Sequence, residues 1–181
     1  MRGKAPQVAD IPDNIVLKRH RDFDGRGWHR WLEYAILAVL LALVVLALLN
    51  VFGQYPSTAQ AKSPAANLKL YAPTSLRGGL LWEARITVQA HRDIKNAILV
   101  LDGGWVNGFT LNQMLPSPLG EASRDGKLIL TVGHIPGGRT YTLWMQSQVN
   151  ATNVGVDDQD VVLLDGQKRL AKVDRSVTTF P

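Results

Sequence analysis

The chain has 181 residues, 46% of them hydrophobic, and a formal charge of +5. That length allows one ordinary domain with appendages. It contains no cysteine, which excludes a disulfide framework and any cysteine-based metal site. Residues 1–33 carry seven Lys/Arg against five Asp/Glu, and residues 53–181 carry thirteen against ten, so neither part is basic enough to imply a nucleic-acid partner.

Residues 1–33 mix charge with Pro6, Pro12, Gly25 and Gly27 and lack hydrophobic periodicity. They read as a cytoplasmic, basic, disordered segment. Residues 34–52 read YAILAVLLALVVLALLNVF, with Asn50 the sole strongly polar member. A helix of that length spans about 28 Å, close to the roughly 30 Å hydrocarbon core of a bilayer. Apolar character on every side sets it apart from a core helix of a soluble domain. The expectation is a transmembrane helix over 34–52 that acts as an uncleaved signal-anchor.

Orientation follows from flanking charge. Lys18, Arg19, Arg21, Arg26 and Arg30 precede the apolar block, whereas Lys62 and Lys69 alone follow it over a similar distance. Positive flanks stay inside, so the N-terminus is expected in the cytoplasm and the C-terminal part outside. Trp28, Trp31 and Tyr34 on one side, and Phe52 and Tyr55 on the other, stand where interfacial aromatics gather. The competing reading is a signal peptide cleaved after Ala61, because Ala59-Gln60-Ala61 has the A-x-A pattern. The length of the apolar run and of the segment before it argue against cleavage. Ala38 and Ala42 form a small-xxx-small pair, a spacing that Leu/Ala-rich helices produce by chance.

Residues 53–66, GQYPSTAQAKSPAA, read as a linker on composition. From residue 67 to 181 the hydrophobic period becomes two. Strands are expected at Asn67–Tyr71, Leu81–Ala90, Asn96–Leu101, Trp105–Met114, Lys127–Ile135 and Arg139–Asn150, with a final hairpin from Val161–Leu164 and Leu170–Phe180 around Asp165-Gly166. In Leu81–Ala90, residues Trp82, Ala84, Ile86, Val88 and Ala90 face in, while Glu83, Arg85, Thr87 and Gln89 face out. In Arg139–Asn150, Tyr141, Leu143, Met145 and Val149 face in, leaving Trp144 and Gln146 on the polar face; the alternative is that the faces are inverted or both covered, with Trp144 buried by the second sheet. Pro136-Gly137-Gly138 is read as a tight turn after which Arg139–Asn150 pairs back. The fold class expected is mainly β: an immunoglobulin-like antiparallel β-sandwich preceded by one N-terminal transmembrane helix, with a small barrel as the alternative.

The stretches LLWEARITVQAHRDIKNAILVLD and HIPGGRTYTLWMQSQVN also carry a resemblance. Ile86–Ala90 resembles the opening strand of bacterial cell-surface immunoglobulin-like domains. Ile135–Gly138 with Arg139–Val149 resembles their Pro-Gly turn and long Thr-rich strand. With the N-terminal anchor, the chain looks like bacterial, actinobacterial-type single-pass membrane proteins with an extracytoplasmic immunoglobulin-like domain. The resemblance implies an adhesive, spacer or accessory module and carries no catalytic residue across.

No nucleophile elbow, phosphate loop or dinucleotide loop is present. His91 and His134 lack a metal-binding spacing, so catalytic, metal and cofactor sites are all expected to be absent. Asp157, Asp158 and Asp160 are acidic enough for calcium but do not match an EF-hand loop and read as a solvated loop. Asn150-Ala151-Thr152 fits a glycosylation sequon that matters only in a host that glycosylates exported proteins. The residues singled out for partner binding are Trp144, Gln146, Trp105 and Phe109, because exposed aromatics among adaptable polar groups suit a protein surface. The partners expected are the bilayer and another membrane or envelope protein. An envelope polymer is the alternative partner, and an enzyme with an unrecognised site the alternative function.

Overall fold

The computed structural model describes residues 27–49, 51 and 54–181. The expected cytoplasmic segment therefore lies largely outside the described residues, as do Asn50, Phe52 and Gly53. Contacts divide the chain after Leu48 into a helical unit and a β unit.

The helix, α1, covers Gly27–Leu48. It begins before the apolar block, since Trp28, Arg30, Trp31 and Glu33 continue the same helical run. Arg30–Leu48 is long and apolar enough to cross a membrane, and its side chains are exposed all round. A helix with no polar face has nowhere in water to put that surface.

Among the described residues of the second unit there are thirteen strands: β1 Pro56–Lys62, β2 Ala66–Pro73, β3 Ser75–Arg77, β4 Leu81–Ala90, β5 Ile94–Leu101, β6 Phe109–Leu115, β7 Gly120–Arg124, β8 Lys127–Ile135, β9 Thr140–Val149, β10 Gly155–Asp158, β11 Val161–Asp165, β12 Lys168–Val173 and β13 Ser176–Phe180. The unit is mainly β, and its two larger sheets are antiparallel. One runs β1-β2-β4-β9-β6, the other β12-β11-β5-β8-β7, and a small sheet β10-β13-β3 contains a parallel β13–β3 pair. The orders β2-β4-β9-β6 and β12-β11-β5 correspond to the two sheets of an immunoglobulin-type sandwich, ABED and GFC. The β7–β8 hairpin is added beside β5, and β1 beside β2.

The core is built by alternation. Trp82, Ala84, Ile86, Val88 and Ala90 of β4 are all buried, as their spacing predicts. They meet Leu68 and Leu70 of β2, Leu143 and Met145 of β9, and Leu99, Leu101, Leu130, Val161 and Leu163 of the facing sheet in one apolar cluster. Burying the Leu, Ile, Val and Met side chains among these contributes about 1.5–3 kcal/mol each.

Four sequence expectations change here. First, the expected linker 53–66 carries a strand. β1 pairs with β2 along its whole length, from Pro56↔Pro73 to Lys62↔Asn67. Its inward residues include Ala59 and Ala61, which pack against the core. Such small side chains give a strand with a linker's composition. The A-x-A pattern thus sits inside a paired strand. Second, β8 and β9 do not form a hairpin: β8 pairs with β5 and β7, whereas β9 pairs with β4 and β6. The Pro136-Gly137-Gly138 turn crosses between sheets, because both strands have apolar faces that must cover the core from opposite sides. Third, β8 does not alternate strictly. Gly133, at φ 91°, pairs with Ala97 while Thr131 pairs with Ile98, leaving Val132 between them as a bulge. Leu130 and Ile135, an odd number apart, are thereby both buried. Fourth, Leu170–Phe180 is two strands: β12 completes the hairpin with β11, whereas β13 pairs with β10 and β3.

Candidate interaction face

The same alternation that buries one face of β4 and β9 dictates the other. Ladder registers set four side chains in a row across four strands: Tyr71 of β2 opposite Arg85 of β4, Arg85 opposite Trp144 of β9, and Trp144 opposite Leu115 of β6. A second row is Glu83, Gln146 and Gln113, and a third is Lys69, Thr87 and Thr142. Directly opposed residues stand about 5 Å apart, so each row is a contact chain.

In the first row the Arg85 guanidinium lies 5.2 Å from the Tyr71 ring centroid and 4.9 Å from that of Trp144. Both distances are within cation–π range, and each such contact contributes about 0.5–1 kcal/mol at an exposed site. The cation contacts both aromatic rings on a face that is polar apart from them and Leu115. Trp144 stays 44% exposed and Leu115 59%. Trp144 separates two shallow depressions. One, of about 170 Å³, is lined by Glu83, Gln113, Leu115, Trp144, Met145 and Gln146. The other, of about 320 Å³, is lined by Lys69, Tyr71, Arg85, Thr87, Thr142 and Trp144. The larger depression reaches the roughly 300–1,000 Å³ of small-molecule sites, but such sites enclose their ligand and both of these lie open to solvent. Around Trp144 this face sets amides, hydroxyls, two cations (Lys69 and Arg85) and one anion (Glu83).

The sequence-predicted site residues separate into two sets. Trp144 and Gln146 lie together on this face. Trp105 and Phe109 do not join them: they are 1% and 6% exposed and belong to the core. Trp82 packs between them, with ring centroids 5.8 Å from Trp105 and 5.6 Å from Phe109. The Trp105 indole Nε1 donates to Asp160 O at 3.3 Å. The reason is local. Gly103–Trp105 forms a 3₁₀ turn started by Asp102, whose carboxylate accepts from Gly103 N, and that turn carries Trp105 inward before β6 begins. Sequence reasoning missed Tyr71, Arg85 and Leu115. Arg85 was placed on the wet face of its strand, but its ring partners follow only from the register of three strands.

Of the acidic group Asp157, Asp158 and Asp160, the last is occupied by the fold. Asp160 accepts from Lys172 Nζ at 2.7 Å and from Arg175 N at 3.1 Å, and Lys172 also pairs with Asp174. Burial pushes the Asp160 carboxyl up, but the hydrogen bonds from Lys172 and Arg175 outweigh it, so it titrates below the ordinary aspartate range. The Asp160 and Asp174 hydrogen bonds raise Lys172 well above an ordinary lysine. Arg175 donates to Pro73 O, and burial lowers it to about 10, so it stays charged at neutral pH. Among the described residues no three His, Cys, Asp or Glu side chains converge on a point that could hold a metal ion. His91 and His134 are both exposed.

No family model and no curated protein matches this chain.

Proposed function

We propose that the chain is a membrane-anchored, non-enzymatic interaction module. Arg30–Leu48 spans the cytoplasmic membrane with the N-terminus inside, and residues 54–181 form an immunoglobulin-like domain outside it. The outer face of the β1-β2-β4-β9-β6 sheet binds a protein partner, itself in the membrane or envelope.

The observation that carries this reading is the Tyr71–Arg85–Trp144 stack with Leu115 beside it. Large apolar groups held rigid in water, on a surface of Gln and Thr, cost the free chain solvation and gain their keep on burial against a partner. Trp, Tyr and Arg are the residue types that dominate binding free energy at protein interfaces. The span reading rests on the length and composition of α1, and its direction on the positive residues that precede it.

The test is photo-crosslinking in intact membranes, with a photoreactive residue at Gln146 of the full-length chain and a second version carrying Trp144→Ala. The reading predicts one crosslinked membrane or envelope protein, lost with Trp144→Ala. Recovery of wall polymer at Gln146 would favour the polymer-binding reading. Crosslinks that are unchanged by Trp144→Ala would refute the assignment of this face.

A further inference from the structure

A second surface lies where the chain enters the β domain. Gln54 Nε2 donates to Leu81 O at 2.8 Å and Thr74 N donates to Tyr55 O at 3.0 Å, so the chain comes in beside the start of β4. Two segments form this tip. Arg77–Leu81 leads from β3 into β4 and is tied to the end of β9: Gly79 N donates to Val149 O at 3.0 Å, and Val149 N donates to Leu80 O at 2.9 Å. Residues 150–156 lead from β9 into β10 and lie against the first segment, since a Cβ on Gly78 would meet Ala151 O at 3.2 Å.

These segments expose apolar side chains that the domain has no use for. Leu80 and Leu81 are 43% and 53% exposed, and Val154 and Val156 are 58% and 67%. Residues 150–156, NATNVGV, carry no charge. Arg77 is the one charged residue in 77–81, and its side chain has no ion pair among the described residues. Tyr55, also exposed, stands where the chain comes in. Apolar tips beside an aromatic residue with a polar end and an unpaired Arg match the residue preferences of a membrane–water interface.

We infer that this tip docks on the lipid bilayer, with Leu80, Leu81, Val154 and Val156 at the headgroup–acyl boundary, Tyr55 in the interface and Arg77 on a lipid phosphate. This rests on the reading of Arg30–Leu48 as a membrane span, and goes beyond the partner face. The occupant follows from the chain itself. Residues 49–55 alone join the helix to β1, and seven extended residues reach about 25 Å at most. A tip at that tether has lipid within reach whatever else the domain binds. The Asp160–Lys172 pair borders this surface, since Arg175, whose N donates to Asp160, also donates to Pro73 O beside Tyr55, so the pair marks the water-side edge of the docked tip. Asp158, two residues beyond Val156, limits the depth.

The absence of cysteine makes the test direct. Single-cysteine, full-length versions carrying Leu80→Cys or Val154→Cys are nitroxide-labelled and placed in phosphatidylcholine–phosphatidylglycerol vesicles. Leu40→Cys reports the span, and Arg139→Cys reports the opposite end of β9. Collisional relaxation by oxygen is compared with that by a water-soluble nickel chelate. The expected result is an oxygen-to-nickel ratio at Leu80 and Val154 several-fold above that at Arg139 and below that at Leu40. Ratios at both tip positions equal to that at Arg139, with Leu40 in lipid, overturn the docking alone. A water-like ratio at Leu40 overturns the span reading and the docking with it.

Discussion

Trp82 and Trp144 sit on neighbouring strands of one sheet, β4 and β9, and meet opposite fates. Trp82 faces inward, packs against Trp105 and Phe109, and is almost fully buried. Trp144 faces outward, stacks on Arg85, and is 44% exposed. Residue type does not distinguish them; the period of two does. The three rings of Trp82, Trp105 and Phe109 stabilise the domain by excluding water from one another. The Tyr71–Arg85–Trp144 stack sets its rings against a cation and leaves Trp144 open to solvent. The lesson is that an aromatic residue becomes a functional candidate when its strand parity places it against the polar set.

The largest effect that would break this comparison is on the buried side. Trp105→Ala is expected to cost about 3–5 kcal/mol, a large share of a stability that is typically about 5–15 kcal/mol. Urea unfolding of the full chain checks it. A loss below about 1 kcal/mol would mean that Trp105 is not a core residue. Next comes the turn that steers Trp105 inward. A Cβ on Gly104 would lie 2.1 Å from Asp158 O, so Gly104→Ala must move backbone. The expected cost is about 2–3 kcal/mol, in the range of overpacked sites. The blue shift of buried Trp emission should diminish with it.

A smaller effect concerns the ion pair that closes the strands beneath Trp105. Asp160 is held below its ordinary pKa, so the stability it adds is present above about pH 4 and is lost as the pH falls through its lowered value. Asp160→Asn keeps an acceptor for Arg175 N but loses the charge. It is expected to lower stability by about 1 kcal/mol at neutral pH and to flatten the acid limb of the stability profile. An acid limb unchanged by the substitution would contradict this role.

Much of this architecture was legible in the sequence. The apolar block is helical as far as Leu48, and that helix begins at Gly27 with residues that composition assigned to the flank. β4 was readable from end to end, because five inward and four outward residues leave one consistent parity. The wet position of Trp144 followed from the same rule applied to β9. What escaped did so for physical reasons. β1 hides because alanine, at Ala59 and Ala61, is as common in linkers as in strands, and only pairing with β2 reveals it. Strand partnership escapes because a Pro-Gly-Gly turn serves both a hairpin and a crossover. Trp105 and Phe109 escape because the 3₁₀ turn breaks the alternation by which their direction could be inferred. Of the candidate face, one aromatic residue and one amide were visible. Their stacking partners come from β2 and β6, distant in sequence and joined by register alone.

The most direct measurement of the central claim sets Trp144→Ala beside the unsubstituted full-length chain, with thermal unfolding and membrane crosslinking done on the same preparations. If the Trp144 face exists for binding, the midpoint moves by no more than a few degrees, consistent with about 1 kcal/mol or less, while the crosslinked partner disappears. If the crosslink survives, or if Trp144→Ala unfolds the domain as Trp105→Ala does, Trp144 is a structural residue and the assigned face is wrong.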